Sequence, residues 1–271
     1  MDTKIFDNKD FLGQQVVKDV FCLQVLIANV CFIGMPGSDD WILVDAGLGP
    51  TTNRIFEAAE QCYGKDNAPK SIILTHGHFD HVGALGTLLK KWKVPVYAHK
   101  LEFPYLTGEK DYPPPDPTVG GGLMSIMSPL YPNEAIDLGD KVEALPEDGS
   151  IPYLQHWRYI HTPGHTPGHI SLFRESDKIL IAGDAFITVD QESALAVLTQ
   201  EKEVNGPPAY FTTDWEEAKK SVRKLADLKP SFVITGHGQP LSGEKLSKEL
   251  ERLANNFDEL AVPDKGRYVH H

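Results

Sequence analysis

The chain has 271 residues, 41% of them hydrophobic and 24% charged, with a net charge of −12; this length fills one sizeable core, and no composition break divides it, so residues 1–271 read as a single domain. The acidic balance argues against an extended nucleic-acid surface, which needs clustered Lys and Arg to displace counterions, and three cysteines without CxxC spacing supply neither a disulfide framework nor a thiolate metal cluster. No basic segment followed by an apolar core opens the chain, and the apolar stretch from Val20 to Gly34 is too short to span a bilayer, so the expectation is a cytoplasmic chain with reduced thiols and no membrane association.

Short β-rich apolar runs alternate with amphipathic helices, the signature of a layered α/β (α+β) fold. In chain order, Phe21 to Phe32 reads as two paired strands, Trp41 to Val44 as a strand and Thr51 to Cys62 as a helix. A strand at Ser71 to Leu74, a helix at Ala84 to Lys91 and a strand at Val94 to Tyr97 follow. Further strands are expected at Trp157 to Ile160, His169 to Phe173, Lys178 to Ile181 and Phe232 to Ile234, with a helix at Trp215 to Leu228. In the last helix, Gly243 to Leu260, the residues Leu246, Leu250, Leu253, Phe257 and Leu260 recur at alternating four and three spacing, giving one apolar stripe. Two segments, 103–137 and 186–214, are long for connections in a compact domain and read as lid or insert loops. Phe103, Tyr105, Tyr112, Leu123, Met124, Met127 and Tyr131 could roof an apolar pocket, with Tyr210 and Phe211 as pocket wall or core.

The chemistry concentrates in Thr75-His76-Gly-His78-Phe-Asp80-His81, where a buried strand runs into four potential metal ligands. His76 and His78 alternate in extended chain, so both imidazoles can point to one side. Asp80 and His81 could begin a helix and face a second point. Imidazole nitrogen and carboxylate oxygen suit Zn2+, Fe2+ and Mn2+, and four such groups on six residues can start two sites rather than complete one. Three other strand ends offer more: His165, Asp184 and His237, each beside a glycine, at 164, 183 and 236, that lets backbone approach closely. Any one histidine is more simply a hydrogen-bonded structural side chain; seven such residues at strand ends are not. His99 and His156 read as structural, and His270 and His271 as a terminal pair without function.

With these motifs the chain resembles the metallo-β-lactamase superfamily, on the HxHxDH signature at His76 to His81, Leu43-Val-Asp45-Ala-Gly, Pro163-Gly-His165-Thr-Pro-Gly-His169, Gly183-Asp184 and Thr235-Gly-His237. The resemblance implies a four-layer αβ/βα sandwich of two mixed β-sheets flanked by helices. It also implies two divalent ions, Zn2+ by default with Fe2+ or Mn2+ as alternatives. His76, His78 and His165 would bind one, Asp80, His81 and His237 the other, and Asp184 would bridge them. Asp45, His161 and His169 are candidates to orient these ligands.

The resemblance further implies that a hydroxide shared by the two ions attacks a carbonyl carbon or phosphorus, with Asp80 as general acid/base. The absence of a GxSxG elbow disfavours a serine nucleophile. A bridging Asp184 departs from secreted β-lactamases, and His78 stands where di-iron oxygen reductases carry glutamate. Little chain follows His237 to form the glutathione-holding domain of glyoxalase II, and the segment 103–137 lacks the basic arm of RNase Z. The HxHFDH variant agrees with acyl-homoserine lactonases, although their tyrosine three residues past the bridging aspartate is Ile187 here. The expected activity is hydrolysis of a small ester, thioester or lactone, by substrate-binding residues the sequence leaves unknown. The alternatives are a mononuclear iron persulfide dioxygenase using His76, His165 and Asp184, a phosphodiesterase, and a non-catalytic, metal-stabilised binding protein. The expected partner is a small molecule, with self-association left open.

Overall fold

Between Val20 and Ile33 almost every residue is apolar because the strands there bury both faces. The structure, a computed structural model, describes residues 11–120, 123–189 and 203–269. Strands β1 (Gln14–Val17), β2 (Val20–Val25), β3 (Ala28–Ile33), β4 (Ile42–Val44), β5 (Ser71–Ile73), β6 (Val96–Ala98) and β7 (Val142–Ala144) form one sheet in sequential order. Pairing is antiparallel from β1 to β4 and parallel from β4 to β7. A second sheet holds β8 (Trp157–His161), β9 (Ile170–Arg174), β10 (Ile179–Gly183), β11 (Phe232–Thr235) and β12 (Leu241–Ser242), in the spatial order β12-β11-β10-β9-β8 with only β10 and β11 parallel.

Period-two alternation divides each strand between two cores. In β2, Val20 and Cys22 enter the layer between the sheets, together with Ile33, Val44, Ile73, Leu172 and Ile181, while Phe21 and Leu23 enter the layer beneath the helices. Those helices are α1 (Thr52–Tyr63), which crosses over between the parallel strands β4 and β5, the single turn α2 (Phe79–Val82) and α3 (Leu85–Trp92). The segment after β6 adds α4 (Phe103–Leu106) and α5 (Leu123–Met127). The outer face of the second sheet is covered by α6 (Trp215–Asp227), α7 (Gly243–Asn255) and α8 (Phe257–Leu260). Asp214 caps α6 by accepting from Glu217 N, with Glu216 and Glu217 in the positive first turn. The result is the two mixed sheets with flanking helices that the resemblance implied.

The structure departs from the expected elements in identifiable places. β1, β7 and β12 are short and partly exposed, so they carry weak apolar alternation. The expected helix Gly243 to Leu260 breaks at Asn256 (φ −122°, ψ 34°), which turns Phe257 into the core. Among the described residues of segment 103–137, α4, α5 and a 3-10 turn at Ser128–Leu130 interrupt otherwise irregular chain, and a bridge between Thr107 and Asp137 closes its base. In segment 186–214, Ile187 bridges to Asn205 and Thr188 to Gly238, and residues 190–202 lie outside the described residues. So do the side chains of Leu123 and Met124, and the pair His270 and His271. Among the described residues no helix is long and apolar enough to cross a membrane, and Cys22, Cys31 and Cys62 are buried free thiols.

Trp41 anchors the helix-covered face of the first sheet, stacking on Tyr63 at 4.3 Å with its edge toward Trp92 and its indole N–H donating to Asn67 Oδ1. Trp41→Ala should cost about 3–5 kcal/mol in a denaturant titration. Leu130→Ala, at a 78% exposed position, should change stability by no more than about 0.5 kcal/mol.

Candidate metal centre

The seven side chains come from five separate points, all at the same edge of the two sheets. His76 and His78 follow β5, Asp80 and His81 lie on α2, His165 is in the turn between β8 and β9, and Asp184 and His237 follow β10 and β11. Backbone hydrogen bonds join the sheets at this edge, from Ile170 N to Thr75 O and from Asn29 N to Gly236 O. All seven residues are buried. Three groups among the described residues could hold a metal ion: His76 with His78 and His165, His76 with His81 and Asp184, and Asp80 with His81 and His237.

Their donor atoms are spaced as a coordination shell requires. His78 Nδ1 lies 3.0 Å from His165 Nε2, and Asp184 Oδ2 lies 3.4 Å from His165 Nε2 and 3.1 Å from His237 Nε2. Asp184 Oδ1 is 3.6 Å from His81 Nε2, and Asp80 Oδ2 is 3.4 Å from His237 Nε2. Tetrahedral ligands with bonds of about 2.05 Å stand about 3.4 Å apart. The two carboxylate oxygens of Asp184 thus face histidines of both outer groups.

Outward hydrogen bonds set the tautomers. His81 Nδ1 donates to Asp45 Oδ2 at 2.9 Å and His237 Nδ1 to the Ile27 carbonyl at 2.8 Å. Thr75 Oγ1 gives its proton to Asp45 Oδ2, so at 3.1 Å it accepts from His76 Nδ1. Thr212 Oγ1 gives its proton to the Pro208 carbonyl and accepts from His165 Nδ1 at 3.2 Å. With Nδ1 donating outward in each, four imidazoles turn Nε2 inward, where it is unprotonated whenever the ring is neutral. Burial holds His76 and His78 well below the usual histidine range, and pushes His165 down to about 4. At His81 and His237 burial also opposes charge, but the carboxylates of Asp184 and its neighbours outweigh it and raise both. Burial opposes the charge on Asp184 too, yet His237 and His81 hold it well below the usual carboxylate range.

The residues fit a bound cation on one further observation. His76 Nε2, His81 Nε2 and Asp184 Oδ1 are buried with no hydrogen-bond partner, and a polar atom left so costs about 1–3 kcal/mol. All three belong to the groups that could hold a metal, and coordination would satisfy each.

The candidates for orienting roles separate. Asp45 holds φ 61°, a left-handed conformation that aspartate tolerates, and its carboxylate takes Thr75 N, Thr75 Oγ1 and His81 Nδ1. His169 uses both nitrogens, Nδ1 toward Thr162 and Nε2 accepting from Asp184 N at 2.8 Å. His161 is not brought to the cluster: it stacks on His99 at 4.2 Å and bonds the Pro167 carbonyl, because β8 turns its side chain to the outside. Nor do all three glycines serve the metal edge. A Cβ at Gly236 would collide with Asp184 Oδ1 and come within 2.8 Å of His81 Cε1, whereas one at Gly164 would strike α6 at Ala218. Glu102, absent from the sequence reading, is fully buried and bonded to both histidine-bearing loops; a lone glutamate in Lys-Leu-Glu-Phe carries no signal of this.

The description Metallo-beta-lactamase superfamily matches residues 23–237. The chain belongs to that superfamily. It is similar to the probable metallo-hydrolase YflN of Bacillus subtilis, 49% identical over 92% of this chain and 94% of that protein. It is also similar to an N-acyl homoserine lactonase of a Bacillus species, 28% identical over 61% of this chain and 54% of that protein. Among solved structures it resembles TTHA1623 in a di-iron-bound form, with a TM-score of 0.58 and 22% identity over 86% of this chain and 98% of that one, a likeness of fold alone.

Asp45→Asn places an amide where a carboxylate accepts three hydrogen bonds, so its metal affinity should fall about 10–100-fold in competition with a chromophoric chelator. Gly236→Ala should lower bound metal per chain while leaving the far-ultraviolet circular dichroism of the fold unchanged.

Proposed function

We propose that this superfamily member is a hydrolase holding two divalent ions, which cleaves a small ester, thioester or lactone. His76, His78 and His165 hold one ion, Asp80, His81 and His237 hold the other, and Asp184 lies between. The observation that carries the reading is Asp184, whose two oxygens stand 3.4 Å from His165 Nε2 and 3.6 Å from His81 Nε2. A mononuclear centre on His76, His165 and Asp184 leaves the buried group Asp80, His81 and His237 without a task. The name probable metallo-hydrolase borne by the 49% identical relative agrees with this reading.

Two divalent cations, when bound, lower the pKa of a water between them and offset charge building on an attacked carbonyl. The chain's residues do the rest. The inward Nε2 atoms of His76 and His165 are free to coordinate as they stand, whereas His81 and His237, whose hold on a proton the nearby carboxylates strengthen, give up the Nε2 proton when an ion binds. Asp80 turns Oδ2 toward His237, and its Oδ1 takes a proton from the incoming water and returns it to the leaving group. Zn2+ is the ion we assign, with Fe2+ and Mn2+ suited to the same donors.

The substrate class rests on the rings beside the centre. Phe211 packs on His78 at 4.5 Å and on Phe79 at 6.3 Å, and Tyr131 stacks on Phe79 at 6.1 Å. These contacts of Tyr131 and Phe211 with Phe79 on α2 support our reading of segments 103–137 and 186–214 as a lid within a single domain, and the aromatic wall suits a weakly polar acyl group. The 28% identical lactonase makes a lactone one member of that class. Ile187 is buried and bridged to Asn205, so no phenol from that position polarises the carbonyl.

Elemental analysis should find about two ions per chain, and chelation should abolish turnover across a panel of chromogenic esters, thioesters and lactones. His78→Ala should cut kcat/KM by more than the roughly 10–100-fold typical of an outer partner. Turnover that survives that substitution, or a single iron with oxygen uptake on a persulfide, would overturn the proposal.

A further inference from the structure

Glu102 is fully buried at the end of a 3-10 turn, Lys100–Glu102, that follows β6. Both its oxygens are taken by donors, and the donors come from three separate segments. Oε2 accepts from Gly77 N at 3.0 Å and from the Tyr112 hydroxyl. Oε1 accepts from Thr166 Oγ1 at 2.8 Å and from Gly168 N at 2.7 Å. Gly77 lies between His76 and His78, while Thr166 follows His165 directly. One carboxylate therefore fastens together the two loops that carry the three histidines of one half of the centre.

The surroundings leave this clamp little play. A Cβ at Gly168 would come within 2.7 Å of the Glu102 side chain, and one at Gly77 within 2.8 Å of the Tyr112 hydroxyl. Tyr112 also receives Gly77 N at 2.9 Å, lies against the His78 ring at 4.4 Å and stacks on Tyr105 at 3.9 Å. The other half is braced differently, His81 by Asp45 and His237 by the Ile27 carbonyl.

We propose that Glu102 is the positioning residue of the trihistidine half: by fixing the His76–His78 loop against the His165 turn it sets that half's affinity for metal, and it leaves the half formed by Asp80, His81 and His237 unaffected. This rests on the two-ion reading. The physical reason is preorganisation. His78 Nδ1 and His165 Nε2 stand 3.0 Å apart across the joint that Glu102 closes, and ligands held at coordination spacing bind without first rearranging. Glu102→Gln sets an amide N–H against the donors of one loop and opens that joint.

Co2+ titration of metal-free protein, read by visible absorption and by chelator competition, tests the assignment, with melting of the metal-free proteins as a separate measure of stability. In Glu102→Gln one of the two ions should bind about 10–100-fold more weakly while the other keeps wild-type affinity. Thr166→Val, which removes one donor, should weaken the same ion less. Wild-type affinity for both ions in Glu102→Gln, or equal weakening of both, overturns the proposal. If Glu102→Gln does not fold, Thr166→Val and Tyr112→Phe decide it, because a loss confined to one ion upholds the clamp and no loss refutes it. A wild-type protein that binds a single Co2+ overturns the two-ion reading instead; Glu102→Gln then tests the clamp on that ion, and unchanged affinity refutes it.

Discussion

The centre depends on turning several polar atoms toward one another at a buried sheet edge. His76 Nε2, His81 Nε2 and Asp184 Oδ1 have no hydrogen-bond partner there, and burial works against charge on the five histidines and on Asp184. Such an arrangement is unfavourable unless something else satisfies those atoms. The outer hydrogen bonds make the inward orientation the easy one. Asp45, Thr75, Thr212 and the Ile27 carbonyl each hold an Nδ1, so the imidazoles cannot turn away without leaving a second polar group unpaired.

The sandwich supplies the place where this can happen. Parallel pairing of β4 to β7 and of β10 with β11 sends chain ends to one edge, where loops from both sheets converge. Two core layers on either side of each sheet keep the strands rigid, and hydrogen bonds from Ile170 to Thr75 and from Asn29 to Gly236 hold the sheets in register at that edge. Asn29 adds two side-chain bonds, to the Thr235 and Gly238 carbonyls, which secure the loop bearing His237. Precision at the centre is thus a consequence of cross-sheet contacts.

The function we propose assigns substrate selection to the two long segments. Phe211 and Tyr131 reach the centre from the two long segments and meet on Phe79, a residue inside the metal signature itself. Variation in those segments can alter the surface beside the centre without disturbing the sheet edge, the usual division between scaffold and loops.

The sequence by itself determined the superfamily, the layered fold and the seven-residue cluster, because HxHFDH and the Gly-Asp and Gly-His strand ends are local patterns. It also located most strands and helices, because burial on both faces leaves long apolar runs such as Val20 to Ile33. Tertiary structure alone decided what surrounds the cluster. Asp45 and His169 were legible as candidates, but their hydrogen bonds to His81 and to Asp184 N join residues distant in sequence. The same candidacy held for His161, and the fold turned that side chain outward to stack on His99. Glu102 had no local signal, since a buried carboxylate is made by the donors that fold around it, and those donors lie 10 to 66 residues away.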